Sequence, residues 1–234
     1  MTSRKTKVKP FGVEIHSGSV GGILSRFYRR ILFDLPVDED RYNALMARYI
    51  QRCQNDAHRG ERLAARISLS QELMKESMTW KTWIKGLSFL RVNLFNFTAE
   101  LHHEDGQVTK HTVTASTDKS DAEVGVILAD LYRMILRDLN IDTVAYDGYM
   151  ERYIAKTHLN LNRKDKASVR ASVSKELLKE KENMTWKTWI KGLVFLNIDR
   201  LVIHVALHHD INRRITEHET SVKIGDLDPN IAED

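Results

Sequence analysis

Met78-Thr79-Trp80-Lys81-Thr82-Trp83-Ile84-Lys85-Gly86-Leu87 recurs letter for letter as Met184-Thr185-Trp186-Lys187-Thr188-Trp189-Ile190-Lys191-Gly192-Leu193. These two copies hold all four tryptophans of the chain. The match continues upstream at an offset of 104, where Val20-Gly21, Ile23-Leu24, Tyr28-Arg29, Ile31-Leu32 and Asp34-Leu35 answer Val124-Gly125, Ile127-Leu128, Tyr132-Arg133, Ile135-Leu136 and Asp138-Leu139. Downstream the offset is 106, and Leu101-His102-His103 answers Leu207-His208-His209. Self-similarity over so long a period is the mark of a repeated structural unit. It divides the chain into a basic lead-in (1–19), a first repeat (20–115), a polar linker (116–123), a second repeat (124–224) and an acidic tail (225–234).

Each repeat reads as helices first and strands after. Val20, Ile23, Leu24, Phe27, Tyr28, Ile31, Leu32 and Leu35 keep the i, i+3, i+4, i+7 spacing of an amphipathic helix. Asp38 and Asp142 suit the N-cap of a second helix, whose apolar face in the first repeat is Tyr42, Leu45, Met46, Tyr49 and Ile50. A third helix is expected to be capped near Ser68 or Ser70 and to run through Leu73. The repeats then differ by two residues, which predicts a connection there and N-caps at Ser77 and Asn183 for the helix the decamer opens. After it the period changes to two. Phe95, Phe97, Ala99 and Leu101 alternate with Asn96, Thr98, Glu100 and His102, and Leu201, Ile203, Val205 and Leu207 take the matching positions of the second repeat. Asp105-Gly106 then suits a two-residue hairpin turn. The expected fold is α+β: a tandem duplication, each half a small helical block followed by a β-hairpin, the halves related by a pseudo-twofold. A lone hairpin is marginal in water, so the two are expected to join in one sheet.

Composition narrows the function. Of 234 residues 42% are hydrophobic and 29% charged, the balance of an ordinary globular protein. Cys53 is the single cysteine, which excludes a disulfide framework and a Cys-rich zinc module and suits the cytoplasm. No apolar run reaches the ~20 residues of a membrane helix. The formal net charge of +4 is a mild basic excess. No phosphate loop, dinucleotide fingerprint, HExxH pair or GxSxG elbow is present, and Thr157 stands where Cys53 would recur.

Three groups of residues carry candidate chemistry. Arg59, Arg62 and Arg66 share one helical face, and their counterparts Arg163, Lys166 and Arg170 are basic as well. Two such rows form the electrostatic footprint of a polyanion binder, against the plainer account that Glu61 and Asp165 bridge to them. Lys81, Lys85, Lys187 and Lys191 in the decamers would assist, and the indoles would either stack on bases or anchor a core. Glu100, His102 and His111 fall on one hairpin face if Glu100 pairs with His111, which makes a carboxylate and two-imidazole set. Ala206 replaces Glu100 in the second repeat, however, so no metal and no cofactor is expected, and cross-strand histidines are the better account. Asp34 and Asp138 end helices against the dipole and call for a partner such as Arg29, Arg133 or a following N–H.

These residues lead to the expectation of a non-enzymatic polyanion-binding protein. Nucleic acid would be its partner, held by Arg59, Arg62, Arg66, Arg163, Lys166, Arg170 and the four decamer lysines. The competing expectation is a structural or interaction component, such as a virion or scaffold protein or an inhibitor of a partner protein. It draws on the unchanged decamer and includes self-assembly.

Overall fold

Ser19 opens the first helix: its Oγ accepts the N–H of Gly22 at 3.0 Å. From there the computed structural model describes residues 19–53, 59–118, 121–157, 163–177, 184–210, 213–224 and 227. The basic lead-in before Ser19, most of the acidic tail, Asn183 and the side chains of Arg59 and Arg163 lie outside the described residues. The elements run α1 (Val20–Asp34), α2 (Glu39–Cys53), α3 (Arg59–Leu73), α4 (Trp80–Phe89), β1 (Val92–His103) and β2 (Val108–Ser116). They continue with α5 (Asp121–Asp138), α6 (Thr143–Thr157), α7 (Arg163–Leu177), α8 (Trp186–Phe195), β3 (Ile198–His209) and β4 (Ile215–Lys223). The fold is α+β, with one antiparallel sheet of order β2-β1-β3-β4. No helix among the described residues is long and apolar enough to cross a membrane.

Three local expectations are corrected. α3 begins at Arg59 rather than near Ser68 or Ser70. Its first turns are polar and basic, so no apolar stripe announces them; buried Leu69 and Leu73 hold only the far end. The decamer helices are capped by Thr79 and Thr185, not by Ser77 and Asn183: each threonine Oγ1 accepts the N–H of Thr82 or Thr188 at 3.1 Å. Finally, the first hairpin closes on a three-residue loop. His103 N–H reaches Gln107 O at 2.9 Å, Gly106 N–H reaches His103 O at 3.0 Å, and Gly106 takes φ +87°. That is a turn ending in a left-handed glycine, a loop for which Asp-Gly is equally suited.

The loop shifts the register by one residue, which turns every side chain of the return strand over. Glu100 pairs with Lys110, and His111 pairs with Ala99. Glu100 and His102 therefore lie on the opposite face of the sheet from His111, and the proposed carboxylate–imidazole set does not assemble. Among the described residues no group of three metal-ligating side chains comes together.

The core sits between the sheet and the helices. Phe95, Phe97, Ala99 and Leu101 of β1 and Leu201, Ile203, Val205 and Leu207 of β3 are buried on one face. α1, α4, α5 and α8 lie against the sheet, α1 reaching β4 and α5 reaching β2, so each half's first helix covers the other half's edge strand. α2 and α3 pack on α4, and α6 and α7 on α8. All four tryptophans are buried, which rules out their use as a base-stacking platform. Trp83, Trp80, Trp186 and Trp189 form a continuous stack, with successive ring centroids 5.1, 5.8 and 5.1 Å apart. The Trp80 indole N–H donates to Val124 O and that of Trp186 to Val20 O, both at 3.0 Å. Gly86 and Gly192 permit the close approach of α1 and α5: a Cβ on Gly86 would stand 2.6 Å from Tyr28, and one on Gly192 2.5 Å from Tyr132.

Candidate functional site

The basic rows sit on α3 and α7, the helices on the outside of each helical block. Arg62, Arg66, Lys166 and Lys81 are exposed, while Arg170, Lys85, Lys187 and Lys191 are half-buried. Lys85 bonds Glu72 of α3 and Lys191 bonds Glu176 of α7, each at 2.5 Å. These two pairs pin the decamer helix to its neighbour. The rows themselves differ in their partners. Arg66 donates to the neutral Oδ1 of Asn43 on α2 at 2.5 Å. Arg170 is held by two carboxylates of α6, Asp147 and Glu151. Asn43 and Ala47 occupy the positions 104 residues before Asp147 and Glu151, so the first half keeps the arginine and lacks the acids.

A second basic cluster, which the sequence reading missed, lies where α2 meets the α4–β1 turn. A cavity of about 280 Å³ is lined by Leu45, Arg48, Tyr49, Arg52, Ser88, Phe89, Arg91 and Asp210. The i, i+4 spacing of Arg48 and Arg52 was a signal that they share a helix face. Nothing local announced Arg91. It adopts φ +62° and extends its guanidinium to Asp210, with Nε and Nη2 3.2 and 2.9 Å from Oδ2. Arg52 bonds the Ser88 carbonyl at 3.2 Å and its hydroxyl at 2.8 Å, and lies over the Tyr49 ring.

The histidines divide between the two faces of the sheet. On the helix-facing side, Asp34 Oδ2 lies 3.1 Å from His218 Nδ1, and His218 Nε2 lies 3.0 Å from Thr216 Oγ1. Thr216 Oγ1 is in turn 3.0 Å from His209 Nε2. The same chain recurs as Asp138, His111, Thr109 and His103, with separations of 3.3, 3.2 and 3.1 Å. Asp34 and Asp138 thus find their main partners in histidines of the other half, not in Arg29 or Arg133. Arg29 donates instead to Met74 O, and Arg133 to Asp130. Since a carboxylate oxygen accepts, the His218 Nδ1–H donates to Asp34, which turns Nε2 toward the Thr216 hydroxyl. Burial pushes His103, His111 and His209 below the ordinary imidazole value. A carboxylate, an imidazole and a hydroxyl in line have the connectivity of an activated nucleophile. Here the rings of His111 and His218 are only 4% and 6% exposed, so the chains tie α5 to β2 and α1 to β4 instead of facing a substrate.

On the other face Glu100 gathers Lys110 Nζ at 2.7 Å, His102 Nε2 at 2.8 Å and His204 Nε2 at 3.3 Å. Lys110 first and His102 second hold its carboxyl down at about 2. Arg200 donates to His102 Nδ1 at 3.1 Å, which leaves Nε2–H to serve Glu100.

Comparison of the chain with protein-family models, with curated proteins and with solved structures finds no match.

Proposed function

We propose that the protein is a non-enzymatic polyanion binder, with nucleic acid as its ligand and the α3 face, supported by α7, as the contact. One observation carries the reading: Arg66 is bonded to neutral Asn43, whereas Arg170 is neutralised by two carboxylates. Arg66 thus keeps a charge that a structural ion pair would have cancelled. Arg62 is exposed four residues before it on the same helix. Phosphate contacts made by such a row are salt-dependent and indifferent to sequence. The test is fluorescence anisotropy with labelled single- and double-stranded DNA and RNA at two salt concentrations. Binding should weaken steeply with salt and vanish in R62E/R66E, with a smaller loss in K166E/R170E. No binding at low salt, or binding indifferent to R62E/R66E, removes the reading.

The same proposal includes the chain's organisation. The halves 20–115 and 124–224 are read as duplicated repeats about a pseudo-twofold axis passing between the paired Thr98 and His204. Its support is reciprocity: Trp80 to Val124 answers Trp186 to Val20, and Asp34–His218 answers Asp138–His111. A cytoplasmic setting, consistent with one exposed free cysteine, belongs to the proposal too.

Docking on another protein is the second reading, favoured by Leu63 and Ile67, which are 59% and 52% exposed on the same α3 as Arg62 and Arg66. Mass measurement in solution, with and without L63S/I67S, tests it. A stable oligomer that the double variant dissociates supports the reading, and a monomer at all concentrations removes its self-assembling form.

A further inference from the structure

The cleft between α2 and the α4–β1 turn presents three guanidiniums and one carboxylate: Arg48, Arg52 and Arg91 against Asp210. Two of the three have no acidic counterpart. Arg52 is occupied by the neutral oxygens of Ser88, an arrangement that fixes its plane without cancelling its charge. Arg48 has no side-chain hydrogen bond or ion pair among the described residues. Arg91 shares Asp210, and it reaches the cleft from a left-handed backbone conformation that a long side chain adopts only at a cost. At the matching turn the second half takes the same conformation, φ +58°, with Asn197, a residue that tolerates it well. The chain therefore carries arginine where asparagine would serve the fold.

The rest of the corresponding surface in the second half differs in the same sense. Lys156 stands for Arg52 and lies 3.6 Å from Glu104, which also accepts from Asn197 Nδ2 at 2.9 Å. Val194 replaces Ser88, which removes the hydroxyl. Arg152 stands for Arg48 and is drawn over the Tyr149 ring, 4.8 Å from its centre. One half thus holds a cleft with two surplus positive charges, and the other a surface largely closed on itself.

We propose that this cleft binds the dianionic phosphate of a phosphate monoester. Guanidinium forks match phosphate oxygens in pairs, the Ser88 hydroxyl supplies a further donor, and two surplus charges equal those of the dianion. The volume, about 280 Å³, sits just under the ~300–1,000 Å³ of pockets for drug-sized ligands, so it admits a headgroup rather than a whole large ligand. Tyr49 offers an aromatic wall beside it. The site is built from α2, the end of α4, the α4–β1 turn and the turn after β3, so it stands independently of the α3 and α7 rows.

The test is isothermal titration of the full chain with inorganic phosphate, phenyl phosphate and a nucleoside 5′-monophosphate. Competition by oligonucleotides with and without a 5′-phosphate follows. Phosphate monoesters are expected to bind, and R48Q, which removes no side-chain hydrogen bond or ion pair among the described residues, to weaken binding about tenfold or more, the effect of losing a charge-assisted bond. R91N should act in the same direction, and R152Q should leave binding unchanged. Preference for the 5′-phosphorylated oligonucleotide assigns the headgroup to a polymer end; preference for the free monophosphate assigns it to a small ligand. No binding of any monoester at low salt overturns the proposal, as does binding that R48Q leaves intact. Because R62E/R66E leaves this cleft untouched, failure of the α3 reading and failure of the cleft are read separately.

Discussion

Arg66 meets Asn43, whereas Arg170 meets Asp147 and Glu151; Arg52 meets Ser88, whereas Lys156 meets Glu104; Arg91 stands in the first half where Asn197 stands in the second. At the first two positions the second half pairs its cation with a carboxylate and the first half does not; at the third the first half carries a cation, paired with Asp210, where the second carries none. The apolar frame stays apolar in both halves while its shapes differ, Phe95, Phe97 and Ala99 answering Leu201, Ile203 and Val205. Trp83 and Trp189 are both fully buried, Phe89 and Phe195 equally so, and the decamer caps have the same geometry. Exposed ion pairs add at most about 1 kcal/mol, so the two halves can differ in them without endangering the fold. The difference in surface charge bears on what the first half can bind, not on how it stands.

That contrast can be broken first in the core. W80A and W186A should each cost about 3–5 kcal/mol in urea unfolding, and by similar amounts, because each loses a stacked ring and a bond to the other half. A wide inequality would mean that the halves do not share one frame. G86A and G192A should cost about 1–3 kcal/mol apiece, since Tyr28 and Tyr132 are buried and have nowhere to move. Partial restoration by Tyr28→Phe in the G86A background would instead locate the clash at the hydroxyl end of the ring.

Next comes pH. His103, His111 and His209 have folded-state values below the unfolded 6.5, so the unfolded chain takes up more protons as pH falls through that value. Stability is therefore whole above about pH 6.5 and declines below it. Urea midpoints measured from pH 8 to pH 5 should show the fall, and H111Q should flatten it while costing about 1 kcal/mol at pH 8. Glu100 adds a second decline from its ordinary 4.5 down to about 2, which E100Q should remove. The smallest effects belong to the pinning lysines: K85M and K191M should each change stability by about 1 kcal/mol or less, and equally. A larger effect at Lys85 alone would extend the charge asymmetry into the helical block.

Much of this architecture was legible. The i, i+3, i+4 spacing from Val20 to Leu35 declared the first helix, and the alternation through Phe95–Leu101 declared the strand, because buried periodicity is written in adjacent residues. The caps were displaced by two residues because Ser77 and Thr79 are both competent N-caps, and only Thr79 has the geometry. The register failed because Asp-Gly serves a two-residue and a three-residue loop equally, and one residue decides which face His111 occupies. Asp34 and His218 are 184 residues apart, and no local pattern joins them. The cleft escaped for the same reason: Arg48 and Arg52 share a helix, but Arg91 and Asp210 arrive from two turns 119 residues apart, before β1 and after β3.

The reciprocal tryptophan bonds have a consequence for assembly. On the duplicated-repeat reading proposed above, the seam they close, with β1 beside β3, takes the form of a homodimer interface written within one chain. Each half would then present at that seam a surface shaped for a near-copy of itself. Separately produced halves should therefore reconstitute one another in a concentration-dependent way. At high concentration intact chains also have a route to exchanging halves, with the first half of one molecule closing on the second half of another.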